Sequence, residues 1–594
     1  MNDKISDAIA LDYLEKFSKA FDTMLSEALA RNIDEEGSDP NSPPFQNTQK
    51  IVDLVSKAIQ VDTSKMMHDH LELMKQQVDL WQQTTKALMG EEVDPIIKEE
   101  RGDHRFTAED WNSHPVFSYM KQAYLLNSKM LENMVDSIEF DDHKTADKAK
   151  FYARQYINSV SPSNMAFTNP EVLQEIINTN GESLARGLDN FIQDIKQSPA
   201  EALKISQTDL DAFELGKNLA TTPGEVVYQN ELIQLLQYTP TTEQVYTRPL
   251  LFVPPFINKY YVLDLDEKKS IVKWFTDQGY TVYMISWVNP DAELAHISLD
   301  DYVLKGPVAA VDAIREITGV DSVNTAGYCV GGTTLSIAQA YLLAKGKKTI
   351  NSMTLFTTLL DFEDPGEVGL YISENIVPVL ERNIQNRGVF DGRIMGFSFS
   401  MLRENSLFWS YFVNNYLKGK KPKPFDILYW NSDATNIPAE TFRYYLHKTY
   451  LDNELKTPGG VEIDGVPIDL NIIDTPTYYL ATIADHIVLW SSAYDSAKLF
   501  SGPKKFVLAG SGHLAGVINS PNGGKYPHWT NDALPETAEE WKEGATEVEG
   551  SWWPDWHQWL EPQSGEKIEA RVPGDNDNFP SIEPAPGSYV KVRI

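Results

Sequence analysis

Apolar residues at Ile9, Tyr13, Phe17, Phe21, Met24 and Ala28 recur every three or four positions, which predicts an amphipathic helix near the start of the chain. The breaker-rich run from Gly37 through Pro40, Pro43 and Pro44 ends it. A second pattern passes through Met67, Leu71, Met74, Val78, Trp81, Thr85 and Leu88, with spacings that alternate between four and three. That is a heptad-like seam. Packing of this helix on its own domain is the simpler expectation, and a subunit or partner contact is the alternative. Helical patterns continue from 115 to 205, with turn signals such as Asn169-Pro170 and no clear strand run.

The texture changes at Pro249. Short strand-like segments at 250–253, 281–285, 322–326, 352–356, 477–481 and 505–509 are separated by helical patterns. Buried strands alternating with helices predict a mostly parallel sheet covered on both faces. The gap from 361 to 470 is too long for one crossover and carries Phe408, Trp409, Tyr411, Tyr429 and Trp430, so an inserted cap over the sheet is expected. Trp552, Trp553, Trp556 and Trp559 crowd the tail. Anchoring that tail to the core is the simpler role for them, and contact with a polymer surface the alternative. The expected organisation is a helical N-terminal domain over 1–204 and an α/β domain over 205–594 that contains the cap.

Composition narrows the functions open to such a chain. Its 594 residues carry 52 Lys and Arg against 85 Asp and Glu, a net charge of −33, which argues against a general nucleic-acid binder or a protein held on anionic membranes by charge. Cys329 is the sole cysteine, so intrachain disulfides and thiolate-rich metal sites are excluded, and no metal or cofactor is expected. The N-terminus shows no basic and apolar leader, and nowhere do about 18 consecutive apolar residues occur to span a membrane. A soluble protein of the reducing cytoplasm is expected, without a transmembrane segment.

The candidate chemistry lies at Gly327-Tyr328-Cys329-Val330-Gly331-Gly332, directly after one strand and before a helical run. This is the strand, elbow and helix setting of a Gly-x-nucleophile-x-Gly motif, with cysteine as the nucleophile. The start of a helix there favours a thiolate. A thiolate nucleophile needs a base held by a third group, and in the α/β-hydrolase fold the chain order is nucleophile, acid, histidine. Asp485 follows the strand at 477–481 and His513 the strand at 505–509, both at the sheet edge where such sites form. His486 adjoins the proposed acid, while His528 and His557 stand in Pro- and Trp-rich tail segments, which leaves His513 as the base. Backbone N–H groups of Val330 and Phe256 are the expected oxyanion donors, since Pro254 and Pro255 have none to offer.

On these motifs, together with Val253 to Tyr261, Tyr429-Trp430-Asn431-Ser432-Asp433, Ser511 to Gly516, Arg105-Phe106, Trp111, Gln155-Tyr156 and Ser161 to Asn164, the chain resembles the class I polyhydroxyalkanoate synthases. The resemblance implies an acyltransferase that polymerises (R)-3-hydroxyacyl-CoA, such as 3-hydroxybutyryl-CoA, into polyester and releases CoA through a thioester on Cys329. It places the catalytic cysteine, aspartate and histidine on Cys329, Asp485 and His513, and gives Asp485 a second conceivable role in activating the 3-hydroxyl. Asn258, Tyr328, Arg403, Trp430 and His486 are candidate substrate contacts. Lys418, Lys420, Lys421 and Lys423 form a basic loop that could attract CoA phosphates or simply be solvated. Expected partners are the acyl-CoA, the growing polyester and its storage granule, granule-associated proteins and a second copy in a homodimer, with no nucleic acid. Two other functions remain open: a cysteine thioesterase or polyester depolymerase built on the same three residues, and a non-enzymatic granule coat.

Overall fold

The computed structural model describes residues 58–61, 63–140, 142–372 and 377–594, so the amphipathic pattern at Ile9 to Ala28 lies outside the described residues. The chain divides into two compact units, one reaching to Gln207 and including Arg403–Pro422, the other made of Thr208–Leu402 and Lys423–Ile594.

Helices dominate the first unit: α1 (Thr63–Leu88), α2 (Pro115–Asp136), α3 (His143–Ser159), α4 (Pro170–Asn178) and α5 (Glu182–Gln197). The Asn169-Pro170 signal is the start of α4, where the Asn169 side chain accepts from the N–H groups of Glu171 and Val172 and Pro170 occupies the first turn. Two short strands, β1 (Ala58–Val61) and β2 (Ile138–Phe140), pair antiparallel in a region expected to hold none. Elements this short leave no readable alternation.

Helix α1 buries the face opposite its heptad-like seam. Leu73 and Leu80, 7% and 1% exposed, pack with Leu126 of α2, whereas Leu71, Val78 and Trp81 stand 58%, 55% and 64% exposed. A shift of two positions turns a helix by about 200°. The seam therefore does not provide the local packing expected of it. Leu73 and Leu80 are themselves seven apart, so two heptad-compatible faces coexist, and the one the sequence pattern singled out is the exposed one.

An 11-stranded sheet organises the second unit. Its strands are β3 (Gly224–Gln229), β4 (Ile233–Tyr238), β5 (Leu250–Val253), β6 (Val282–Trp287), β7 (Val323–Tyr328), β8 (Ile350–Phe356), β9 (Thr477–Thr482), β10 (Lys504–Ala509), β11 (His528–Thr530), β12 (Thr546–Val548) and β13 (Glu583–Pro584). In space they run β12-β11-β10-β9-β8-β7-β5-β6-β4-β3-β13. Strands β5 to β10 are mutually parallel, and the flanking strands are added antiparallel. Successive residues serve opposite faces: Leu251, Val253, Tyr283 and Ile285 enter one core, while Leu250, Phe252, Val282 and Met284 enter the other. The chain leaves β5 for β6 on one side and places β7 on the other. A crevice opens at such a reversal, beyond the carboxyl ends of the strands.

The expected insertion lies between β8 and β9, but it is not one body. Arg403–Pro422 belongs to the helical unit, and the rest, including α7 (Ala439–Leu446), stays with the sheet after α6 (Val330–Ala344). In the tail, Trp552, Trp553 and Trp556 are fully buried at the start of α8 (Trp553–Leu560). Their indole N–H groups donate to Gly516 O at 2.9 Å, Val517 O at 2.9 Å and Thr354 Oγ1 at 2.8 Å, so they anchor the tail and brace the segment that follows His513. No helix among the described residues is long and apolar enough to cross a membrane.

The two faces of α1 give a direct test. Leu80→Ala is expected to cost about 2–5 kcal/mol and Val78→Ala less than about 0.5 kcal/mol, read from urea-denaturation midpoints. Equal effects, or a larger effect at Val78, would contradict this assignment of the buried and exposed faces.

Candidate active site

Strand β7 passes into α6 through a single residue. Cys329 adopts φ 52°, ψ −127°, a conformation that costs an L-residue about 1–3 kcal/mol and persists only where the surroundings enforce it. Here they do. The Cys329 N–H donates to Phe356 O at 2.9 Å, and its carbonyl accepts from Gly332 N at 2.8 Å and Thr333 N at 3.2 Å. A Cβ on Gly327 would stand 2.5 Å from Gly332 Cα, and one on Gly331 would stand 2.3 Å from Val253 O. Glycine at both positions lets strand, turn and helix close on one another, which leaves the thiol partly exposed at the apex.

His513 and Asp485 come to this apex from the neighbouring strand ends. Asp485 Oδ2 lies 2.7 Å from His513 Nδ1, and Oδ1 accepts from the N–H groups of Ile487 and Val488, each at 2.9 Å. Thr482 Oγ1 adds a 3.2 Å bond to Oδ2. The two loops are tied together by Ala484 N donating to Ser511 O at 2.9 Å. Tyr328 stacks on the imidazole, with centroids 5.5 Å apart at 25°, and its hydroxyl donates to His513 O. Burial opposes charge on His513, but the Asp485 carboxylate and the adjoining, hydrogen-bonded Cys329 outweigh it and raise the imidazole to about 10. At neutral pH His513 is held as an imidazolium against the sulfur.

Known proteins share this architecture. The N-terminus of poly-beta-hydroxybutyrate polymerase matches residues 102–275, and the alpha/beta hydrolase fold matches residues 249–519. The chain is 46% identical over 496 residues to the poly(3-hydroxyalkanoate) polymerase subunit PhaC of Cupriavidus necator, covering 83% of each chain. This chain belongs to the poly(3-hydroxyalkanoate) polymerase family. It is also 42% identical to the poly(3-hydroxyalkanoate) polymerase of Methylorubrum extorquens, over 90% of this chain and 88% of that one. With PhaC of Rhizobium meliloti the identity is 41%, over 94% and 91% of the two chains.

In this family member a cavity of about 290 Å³ opens beside Cys329, lined by apolar side chains such as Ile394, Met395 and Phe442. Val330 and Phe256 line it too. Val330 begins α6, so its N–H has no acceptor within the helix. The substrate-contact candidates fare differently. Tyr328 is buried as the support of His513, and the Trp430 indole is buried and donates to Lys259 O at 2.6 Å. Asn258 bridges to Ala434, and the Glu367 N–H donates to His486 O. None of the four lines the cavity. Arg403 falls in the helical unit, as does Lys418, whose ammonium pairs with Glu171 at 3.0 Å. The sequence reading missed Thr333, Tyr445 and Tyr450, which do line the cavity; their one signal was the aromatic richness of the insertion.

Removing the charge that keeps His513 protonated should quieten the thiol. With Asp485→Asn, alkylation of Cys329 by iodoacetamide at pH 7 is expected to fall by about tenfold or more, a pKa unit being worth a factor of ten. In the unmodified protein the His513 proton is lost only as pH rises through about 10, so its titration adds no step between pH 7 and 9. In the variant the step moves to the ordinary imidazole range near ~6.5 or below. An unchanged rate and profile would show that Asp485 does not control the imidazole.

Proposed function

We propose that this chain is a poly(3-hydroxyalkanoate) synthase that polymerises (R)-3-hydroxyacyl-CoA with release of CoA, through a thioester on Cys329. The observation that carries the reading is a thiol with a His513 and Asp485 relay on one side and an apolar cavity on the other. The Cys329 thiolate attacks the thioester carbonyl, and the N–H groups of Val330 and Phe256 stabilise the oxyanion. As the intermediate collapses the carbon–sulfur bond to CoA breaks, and His513 gives its proton to the departing thiolate. The acyl group now sits on Cys329 and His513 is neutral. It takes the proton of a 3-hydroxyl whose oxygen attacks the Cys329 thioester, so an ester forms, the thiolate is regenerated and the chain is one unit longer.

Asp485 is fully buried at its side chain and both its oxygens are engaged, which favours a role through His513 over direct activation of the 3-hydroxyl. The relay alone fits a thioesterase equally well. What favours polymerisation is the cavity, since apolar walls admit the acyl chain and give little hold to the water that would otherwise capture the thioester. At about 290 Å³ it lies near the lower end of the roughly 300–1,000 Å³ typical of ligand pockets, which suits a short acyl unit.

Incubated alone with (R)-3-hydroxybutyryl-CoA, the protein is expected to yield free CoA and insoluble polyester. Stoichiometric 3-hydroxybutyrate without polymer would replace the synthase reading with the thioesterase one. Cys329→Ala is expected to abolish CoA release in a protein whose circular dichroism is retained, and release by that folded variant would remove the nucleophile.

A further inference from the structure

Nearly all the walls of the cavity are hydrocarbon, so each polar group in it is informative. Among the described lining residues other than Cys329, hydroxyls belong to Thr333, Tyr371, Ser398, Tyr445 and Tyr450. Those of Thr333, Ser398 and Tyr445 are occupied. Thr333 donates to Leu359 O at 2.9 Å and also bonds Tyr445, and Ser398 donates to Ile394 O at 3.0 Å. Tyr371 closes the short helix Gly366–Tyr371 and makes an interaction of its own. Tyr450 differs. Its ring is fixed edge-on between Phe362, at 5.0 Å and 67°, and Tyr445, at 6.2 Å and 68°. It stands in a π-helical turn, His447–Leu451, directly after α7, a widened geometry that often marks functional positions. Burial first and the nearby Cys329 second push its phenol well above the usual range, so it remains a hydrogen-bond donor at every working pH.

An acyl group on Cys329 has two oxygens to satisfy. The thioester carbonyl has the Val330 and Phe256 N–H groups, but the 3-oxygen enters apolar surroundings, where a hydroxyl without a partner is costly. Resting on the synthase reading above, we propose that the Tyr450 hydroxyl donates a hydrogen bond to the 3-oxygen of the acyl group on Cys329 and thereby selects 3-hydroxyacyl over plain acyl thioesters. Tyr450 is a specificity-determining residue, and the proton on its oxygen stays there throughout.

The test compares single-turnover CoA release from (R)-3-hydroxybutyryl-CoA and butyryl-CoA. The unmodified protein should prefer the hydroxyacyl substrate, and Tyr450→Phe should reduce that preference by about tenfold, as loss of one hydrogen bond implies. Comparable rates for the two thioesters in the unmodified protein would overturn the proposal without recourse to a variant. So would a Tyr450→Phe protein that keeps the full preference, or one in which elongation slows while first-turnover discrimination persists. Release from neither thioester by the unmodified protein would instead overturn the synthase reading, and this inference with it.

Discussion

The backbone at Cys329 must turn from a strand into a helix within one residue, and every other feature of the site follows from that turn. The left-handed φ of 52° cannot be relaxed locally, because the Cys329 N–H is fixed to Phe356 O and its carbonyl to the first turn of α6. Gly327 and Gly331 are where the neighbouring backbones pass too close for a side chain. The strain is borne by packing on both faces of the parallel strands. In return the sulfur stands above the sheet edge, between the loop that ends β5 and the loops that end β9 and β10. A side chain on a relaxed strand would point into one of the two buried faces of the sheet and reach neither.

Two environments meet at that sulfur. On one side the Asp485 carboxylate, itself held by two backbone N–H groups, keeps a proton on His513 despite burial. On the other side the walls are apolar, so charge is favoured on the His513 side of the sulfur and disfavoured on the cavity side. The tail contributes at a distance: Trp552 and Trp553 donate to the carbonyls of Gly516 and Val517, which stiffens the loop that carries His513. Trp552, Trp553 and Trp556 are thus buried parts of the framework that holds the His513 loop.

The parts of this arrangement legible in the sequence were those written in local pattern. Runs such as Leu250 to Val253 read as buried strands because both faces are apolar, and the glycines around Cys329 announced the elbow, which in turn ordered Asp485 and His513. Strands β3 and β4 were missed because Glu225, Gln229, Gln234 and Gln237 interrupt their apolar runs, although Gln234 and Gln237 are buried. The α1 seam misled because its exposed and buried faces share a period. Tyr328 and Trp430 looked like substrate contacts since aromatic residues near a nucleophile suit either role, and only their hydrogen bonds to His513 O and Lys259 O distinguish support from contact. Tyr450 was illegible for the opposite reason: it lies over a hundred residues from Cys329 and reaches the cavity only through the fold of the insertion.

The central claim is that acyl groups pass through Cys329. Rapid quenching of the protein with (R)-3-hydroxybutyryl-CoA, followed by peptide mass spectrometry, tests it most directly. The account predicts hydroxyacyl mass on the peptide containing Cys329, appearing as fast as the first equivalent of CoA is released and then growing by whole units. Release of CoA with that peptide unmodified at every quench time would contradict it.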